Sequence, residues 1–189
     1  MAQSSDKCHF ICALGREVSI SAAHLKFWPV FIIGLIADLV SKSVVFKWIS
    51  GLAPQRYGVI DGFFQFVLVE NRGAAWGMAS GKTMSLIVVS VVAIIMVFFI
   101  FLSTRKLQMV VVIALGLFAA GICGNLYDRI FNEGKVRDFL DFYHGDWHFP
   151  AFNLADSMLT VAVALLILVT IFSPTSKTEN TESNSDSNI

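Results

Sequence analysis

The residues that invite a chemical reading are carboxylates and amides placed where apolar side chains prevail. Asp156 and Asn153 open the last apolar run of the chain, AFNLADSMLT, three positions apart and so on one face of a helix. A carboxylate carried into hydrocarbon costs at least about 2.5–3.5 kcal/mol on the lenient insertion scales. Asp156 is therefore either wetted at a helix mouth or kept for a task. The stretch before it adds Asp128, Glu133, Asp138, Asp141 and Asp146, so six of the chain's fourteen acids fall between 128 and 156. They alternate with Phe131, Phe139, Leu140, Phe142 and Tyr143, which a merely solvated loop would not need. That favours the task over the wetted face. Two carboxyls held close share a proton, because repulsion raises one pKa and leaves one group an acid and the other a base. They titrate as a coupled pair. Such a pair activates water against a peptide carbonyl without a metal or a covalent nucleophile.

Other chemistries lack their residues. HExxH, GxSxG and Walker sequences are absent. Ser103 and Lys106 fit S-x-x-K, a short and common pattern, and chain parity puts them on the face opposite the acids. His144 and His148 are four apart in what reads as a loop, a weak basis for metal binding. Cys8, Cys12 and Cys123 are too few and too odd for a disulfide framework, and no second ligand pair follows Cys8–Cys12 to make a zinc site. No metal or organic cofactor is expected. Asp38 and Lys42, four apart in the first apolar run, read as an ion pair that fixes helix packing. A paired Asp is a poor proton acceptor, so that role is structural.

The elements that must hold these groups are membrane spans. Hydrophobic residues make up 56% of the 189 and charged ones 15%, against about 25% charged in soluble domains. Four apolar segments, about Phe27–Trp48, Met84–Leu102, Leu107–Leu126 and Ala151–Phe172, each approach the roughly 20 residues that cross a bilayer as a helix. Four such runs are too many for the remaining sequence to bury. Zero net charge gives no sign of a nucleic-acid partner. The N-terminal stretch is no signal peptide, since its apolar run Phe10–Leu14 is short and flanked by charge. Residues 50–82 form a long loop in which Phe64, Phe66 and Leu68 alternate with Gln65, Val67 and Val69, the pattern of a strand at the membrane surface. Ser103–Lys106 reads as a tight turn, and 127–150 as a polar loop rich in acids and aromatics. Parity places the 50–82 and 127–150 loops on one side of the membrane. Lys and Arg do not orient the chain. Six lie on the terminal side (Lys7, Arg16, Lys26, Arg105, Lys106, Lys177) and seven on the loop side (Lys47, Arg56, Arg72, Lys82, Arg129, Lys135, Arg137). Only the compact Arg105–Lys106 turn hints that the terminal side is cytoplasmic. The domain reading is an N-terminal extension over 1–26, a four-helix membrane unit over 27–172 and a polar, low-complexity, disordered tail over 173–189.

The stretches ENRGAAWG (70–77), GNLYDR (124–129), VRDFLDFY (136–143) and FNLADS (152–157) resemble the lipoprotein signal peptidase family, also called signal peptidase II. The resemblance covers roughly 27–172, with the motifs in family order among four spans. It implies that Asp138 and Asp156 are the catalytic aspartates. It implies supporting or substrate-binding roles for Asn71, Gly73, Asn125, Asp128, Arg129 and Asn153. Asp38 and Lys42 match the family's D-x-x-x-K in the first helix. Two departures show. Lys135 and Arg137 flank Val136 where members are often more apolar, so Arg137 either depresses the pKa of Asp138 or points into water. Ala120–Gly121 replaces paired glycines, a change that should still permit close helix packing.

The expected fold is an all-α membrane protein of four transmembrane helices, with a small β element and loop on the outer membrane face. The expected function is an aspartic endopeptidase that removes signal peptides from prolipoproteins, cutting before a diacylglyceryl-modified cysteine. One aspartate takes a proton from water while the other protonates the carbonyl or leaving amine. Phe64, Phe66 and Trp76 are expected to close over the site and meet lipid, the protein working as a monomer. The resemblance also implies a multi-pass protein of the bacterial cytoplasmic (inner) membrane with both termini in the cytoplasm. Three rivals remain: a proton-coupled transporter or ion pathway using the intramembrane aspartates, a presenilin-like protease, which would need a G-x-G-D that is not present, and a non-catalytic relative that binds lipoprotein precursors.

Overall fold

The computed structural model describes residues 17–73, 82–104 and 107–172. In chain order these form β1 (Glu17–Val18), α1 (Ile20–Ser50), β2 (Arg56–Ile60), β3 (Phe64–Asn71), α2 (Thr83–Ser103), β4 (Leu107–Gln108), α3 (Met109–Phe131), β5 (Val136–His144), β6 (Trp147–His148) and α4 (Leu154–Phe172). The four helices are each long and apolar enough to cross a membrane. The expectations for Trp76, for Cys8 and Cys12, for the Arg105–Lys106 turn and for the polar tail lie outside the described residues.

α1 starts seven residues before the expected Phe27, where the Ser19 hydroxyl caps it by accepting from Ala22 N–H at 3.3 Å. At 1.5 Å per residue its 31 residues reach about 46 Å, well beyond a hydrocarbon core of about 30 Å. The excess is used at both ends. At one end Phe27 stacks on Phe101 of α2 with ring centroids 4.0 Å apart. At the other, Trp48 meets Tyr57 of β2 at 4.8 Å and Phe66 of β3 at 6.0 Å, joining the bundle to the sheet.

α3 is the central helix and packs against α1, α2 and α4. Its small residues make that possible. A Cβ on Gly121 would lie 2.7 Å from the Ala155 carbonyl oxygen, and one on Gly124 would strike the Asp38 carboxylate. Ala120 beside Gly121 is fully buried, so the Ala120–Gly121 pair does permit the close approach expected of it. α2 is the opposite case, with only Val97 and Phe101 buried.

The 127–150 segment corrects the sequence reading. α3 runs on to Phe131, a turn follows with Glu133 and Gly134 at φ 51° and 80°, and nine residues then form β5. β5 is an inner strand of a four-stranded sheet of order β2-β3-β5-β6, antiparallel to β3 with Asn71 opposite Val136 and Val69 opposite Asp138. The acids broke the alternation that would have announced a strand. Gly134 and Gly145 at its two ends were the available signal. α4 begins at Leu154, not Ala151, and Phe152 instead bridges to Leu140 of β5. β1 and β4 pair at the other end of α3 and tie the start of the described chain to the α2–α3 connection.

Candidate active site

The FNLAD stretch obeys a local rule. The Asn153 side-chain oxygen accepts from Asp156 N–H at 3.0 Å, and Asp156 Oδ2 accepts from Asn153 N–H at 3.2 Å. This is a reciprocal capping box, with Asp where Glu or Gln is usual. Asp156 does stand at a helix mouth, as the wetted alternative had it. Its carboxylate, however, lines a cleft with Asp138. The other oxygen, Oδ1, accepts from Asn125 Nδ2 of α3 at 2.7 Å.

Asp138 is 2% exposed, so nearly all of its hydration is lost. Asn153 Nδ2 donates to its Oδ1 at 2.7 Å, and Asn71 Nδ2, at the end of β3, donates to its Oδ2 at 3.1 Å. Asn153 thus bonds both carboxylates at once. These donors favour the charged form, but burial and the nearby charge of Asp156 outweigh them. Together those two effects push the Asp138 carboxyl up from 3.8 to about 7.

The amides are themselves held. Asn125 Oδ1 accepts from Lys42 Nζ at 3.0 Å and from Asn153 Nδ2 at 3.2 Å, which turns its NH2 group toward Asp156. Lys42 makes the expected ion pair with Asp38 at 2.8 Å, both side chains fully buried, and lies 3.5 Å from Asp128. Asp38 Oδ1 accepts from Ala155 N–H in the first turn of α4. The pair therefore packs α1 against α4 and also reaches the site through Asn125, a connection the spacing of Asp38 and Lys42 does not carry. Arg129 lines the cleft, donating to Gly73 O at 3.1 Å and Asn125 O at 3.4 Å, while Gly73 N–H donates to Asn71 Oδ1 at 2.8 Å.

The supporting place of Asp128 becomes specific, and the expectations for Arg137, Phe64 and Phe66 change. Asp128 is fully buried and absent from the residues lining the cleft. It takes Arg137 Nη2 at 2.6 Å and Arg137 N–H at 3.0 Å, so it braces β5 against α3. Arg137 gives Nε and Nη2 to Asp128 and Nη1 to Ser43 at 3.3 Å, and the net movement of the Asp138 carboxyl is upward. Phe64 and Phe66 do not line the cleft: Phe64 stacks on Phe142 at 4.9 Å, and Phe66 sits by Trp48 and Phe139. The aromatic wall is instead Phe149 and Phe152, with Pro150 and Ala151 between them. The cleft measures roughly 1190 Å³ and also takes in Leu159, Thr160 and Val161 of α4. Among the described residues no group of acids, His and Cys is arranged to hold a metal.

A profile of the peptidase A8 family, signal peptidase (SPase) II, matches residues 30–172. A lipoprotein signal peptidase of Sulfurihydrogenibium sp. (strain YO3AOP1) is 40% identical over 154 residues, covering 78% of this chain and 92% of that protein. Another, of Staphylococcus carnosus (strain TM300), is 36% identical over 138 residues, covering 73% and 85%. Two solved structures of a bacterial membrane enzyme, obtained by the in meso method, superpose on the fold. One gives a TM-score of 0.71 at 30% identity, covering 81% of this chain and 92% of that one. The other gives 0.67 at 29%, covering 78% and 94%.

Proposed function

The chain belongs to the signal peptidase II family, and from that premise we propose that Asp138 and Asp156 are its catalytic dyad. The protein is an aspartic endopeptidase of the membrane that removes signal peptides from prolipoproteins. The transporter reading falls with that assignment. One observation carries the dyad: the two carboxylates line one cleft and share Asn153 as a donor.

The roles follow from the surroundings. Asp138 retains a proton to about pH 7 and is the acid, protonating the carbonyl oxygen or the leaving amine. Asp156 is the base that takes a proton from water. Asn71, Asn125 and Asn153 orient the two carboxylates, and Arg129 and Gly73 hold the substrate backbone at the cleft edge. Asp128 serves the site by fixing β5 and by standing 3.5 Å from Lys42. The apolar wall suits a lipid-bearing substrate, a precursor with a diacylglyceryl-modified cysteine.

Purified protein in detergent, given lipidated prolipoprotein and read on a gel, tests this. Asp138→Asn and Asp156→Asn should each lower cleavage by about 10²–10⁴-fold while remaining folded. Full activity in either variant removes the mechanism.

A further inference from the structure

The sheet carries a second polar cluster, on residues the dyad does not use. Asp141 of β5 is 4% exposed. Gln65 Nε2 donates to its Oδ2 at 2.6 Å, and His148 Nδ1 lies 2.9 Å from the same oxygen and 3.2 Å from Oδ1. A carboxylate at that distance requires the hydrogen to be on Nδ1, whether the imidazole is neutral or charged. The ring also stacks on Tyr143, centroids 5.4 Å apart and planes 13° from parallel, and the Tyr143 hydroxyl accepts from Gly62 N–H at 3.0 Å. The four-residue spacing of His144 and His148, a weak basis for metal binding in the sequence, is the register of a hairpin, with Tyr143 opposite His148 and His144 opposite Trp147.

Directly after His148 the chain enters the cleft wall, Phe149–Phe152. That strap is fixed at its far end by Phe152, whose N–H donates to Leu140 O at 3.0 Å and whose carbonyl accepts from Phe139 and Leu140 N–H. At its near end Phe149 N–H donates to Phe142 O at 2.8 Å. β6, which leads into this end, is two residues long. The buried Asp141 with its His148 partner adds a side-chain anchor at the residue just before Phe149.

We propose that His148 is a positioning residue for substrate binding: its Nδ1–H, held by Asp141, pins the Phe149–Phe152 strap and sets the shape of the apolar wall that receives the precursor. This rests on the cleft being the prolipoprotein site. It acts on affinity and not on the chemical step, because the dyad takes its own hydrogen bonds from Asn71, Asn125 and Asn153.

The amide of Asn reproduces the Nδ1 donor and that of Gln the Nε2 donor, which gives a test in full-length protein in detergent. Losing a partly exposed hydrogen bond worth about 0.5–1.5 kcal/mol should raise KM for lipidated precursor about two- to tenfold in His148→Ala and His148→Gln, with kcat unchanged. His148→Asn should restore the wild-type KM. Equal KM in Ala and wild type, an equal fall in kcat, or equal behaviour of Asn and Gln would overturn the assignment. Amide hydrogen exchange at Phe149, measured without substrate, separates this from the function itself. It should quicken in the Ala and Gln variants and not in Asn. Unchanged exchange overturns the pinning whatever the enzyme cleaves, whereas failure of the wild type to cleave overturns only the reading of the cleft.

Discussion

Asp138 holds its proton to about pH 7 because it is buried beside Asp156, and that has a consequence for stability. In the unfolded chain the same carboxyl ionises near its ordinary value of 3.8. The folded state binds the proton more tightly, so the contribution is full below 3.8 and is lost as pH rises toward about 7. At about 1.4 kcal/mol per pKa unit the loss is a few kcal/mol at most. Asp138→Asn has no such loss. Its thermal midpoint in detergent should rise relative to wild type between pH 4 and pH 8, and parallel pH curves for the two proteins would contradict this. Asp156 drew notice in the sequence because a carboxylate opening an apolar run stands out. Asp138 did not stand out from its neighbours: Asp138 and Asp141 are both buried acids of one strand, and only the register opposite β3 separates the one facing Asn71 and Asn153 from the one facing Gln65 and His148. The family motif distinguished them where spacing did not.

At the scale of elements, Asp38 and Lys42 couple α1 to α3 and α4. Lys42 donates to Asn125 of α3, and Asp38 accepts from Ala155 of α4. Lys42→Met leaves Asp38 buried without its cation, a loss of about 3–5 kcal/mol. It should lower the folded yield and the thermal midpoint. Replacing both residues by apolar ones should restore much of the yield. Activity should return only in part, because Asn125 has then lost one of the two donors that turn its NH2 toward Asp156. A well-folded double variant with full activity would show that the pair only packs helices. The helices were legible from hydrophobic length, and their ends were displaced where polar residues cap them. α1 begins at a Ser19 cap hidden ahead of Lys26, and α4 begins after the Asn153 cap. β5 was missed because its charged side chains find partners only in three dimensions, Arg137 with Asp128 and Asp141 with Gln65 and His148.

The whole molecule separates two environments. Exposed apolar residues cover α2, among them Val89, Met96 and Phe99, while the polar network gathers where α1, α3 and α4 meet the sheet. Helix parity followed from the sequence, and sidedness did not, because basic residues are nearly balanced. If the sheet faces outward, then with Cys8, Cys12 and Cys123 replaced by Ser a cysteine introduced at the exposed hairpin residue Asp146 should react in intact cells with a membrane-impermeant maleimide, and one introduced at Ser4 should react only after lysis. The reverse pattern would invert the topology. The chemistry itself is tested most directly by the pH dependence of kcat/KM for lipidated prolipoprotein, which reports the free enzyme's acid and base. A dyad that shares one proton, with Asp138 as the acid, predicts a bell-shaped profile. Its alkaline limb should fall away above about pH 7 as Asp138 loses its proton, the apparent value belonging to the pair. A rate that is flat from acid through pH 9 would contradict it.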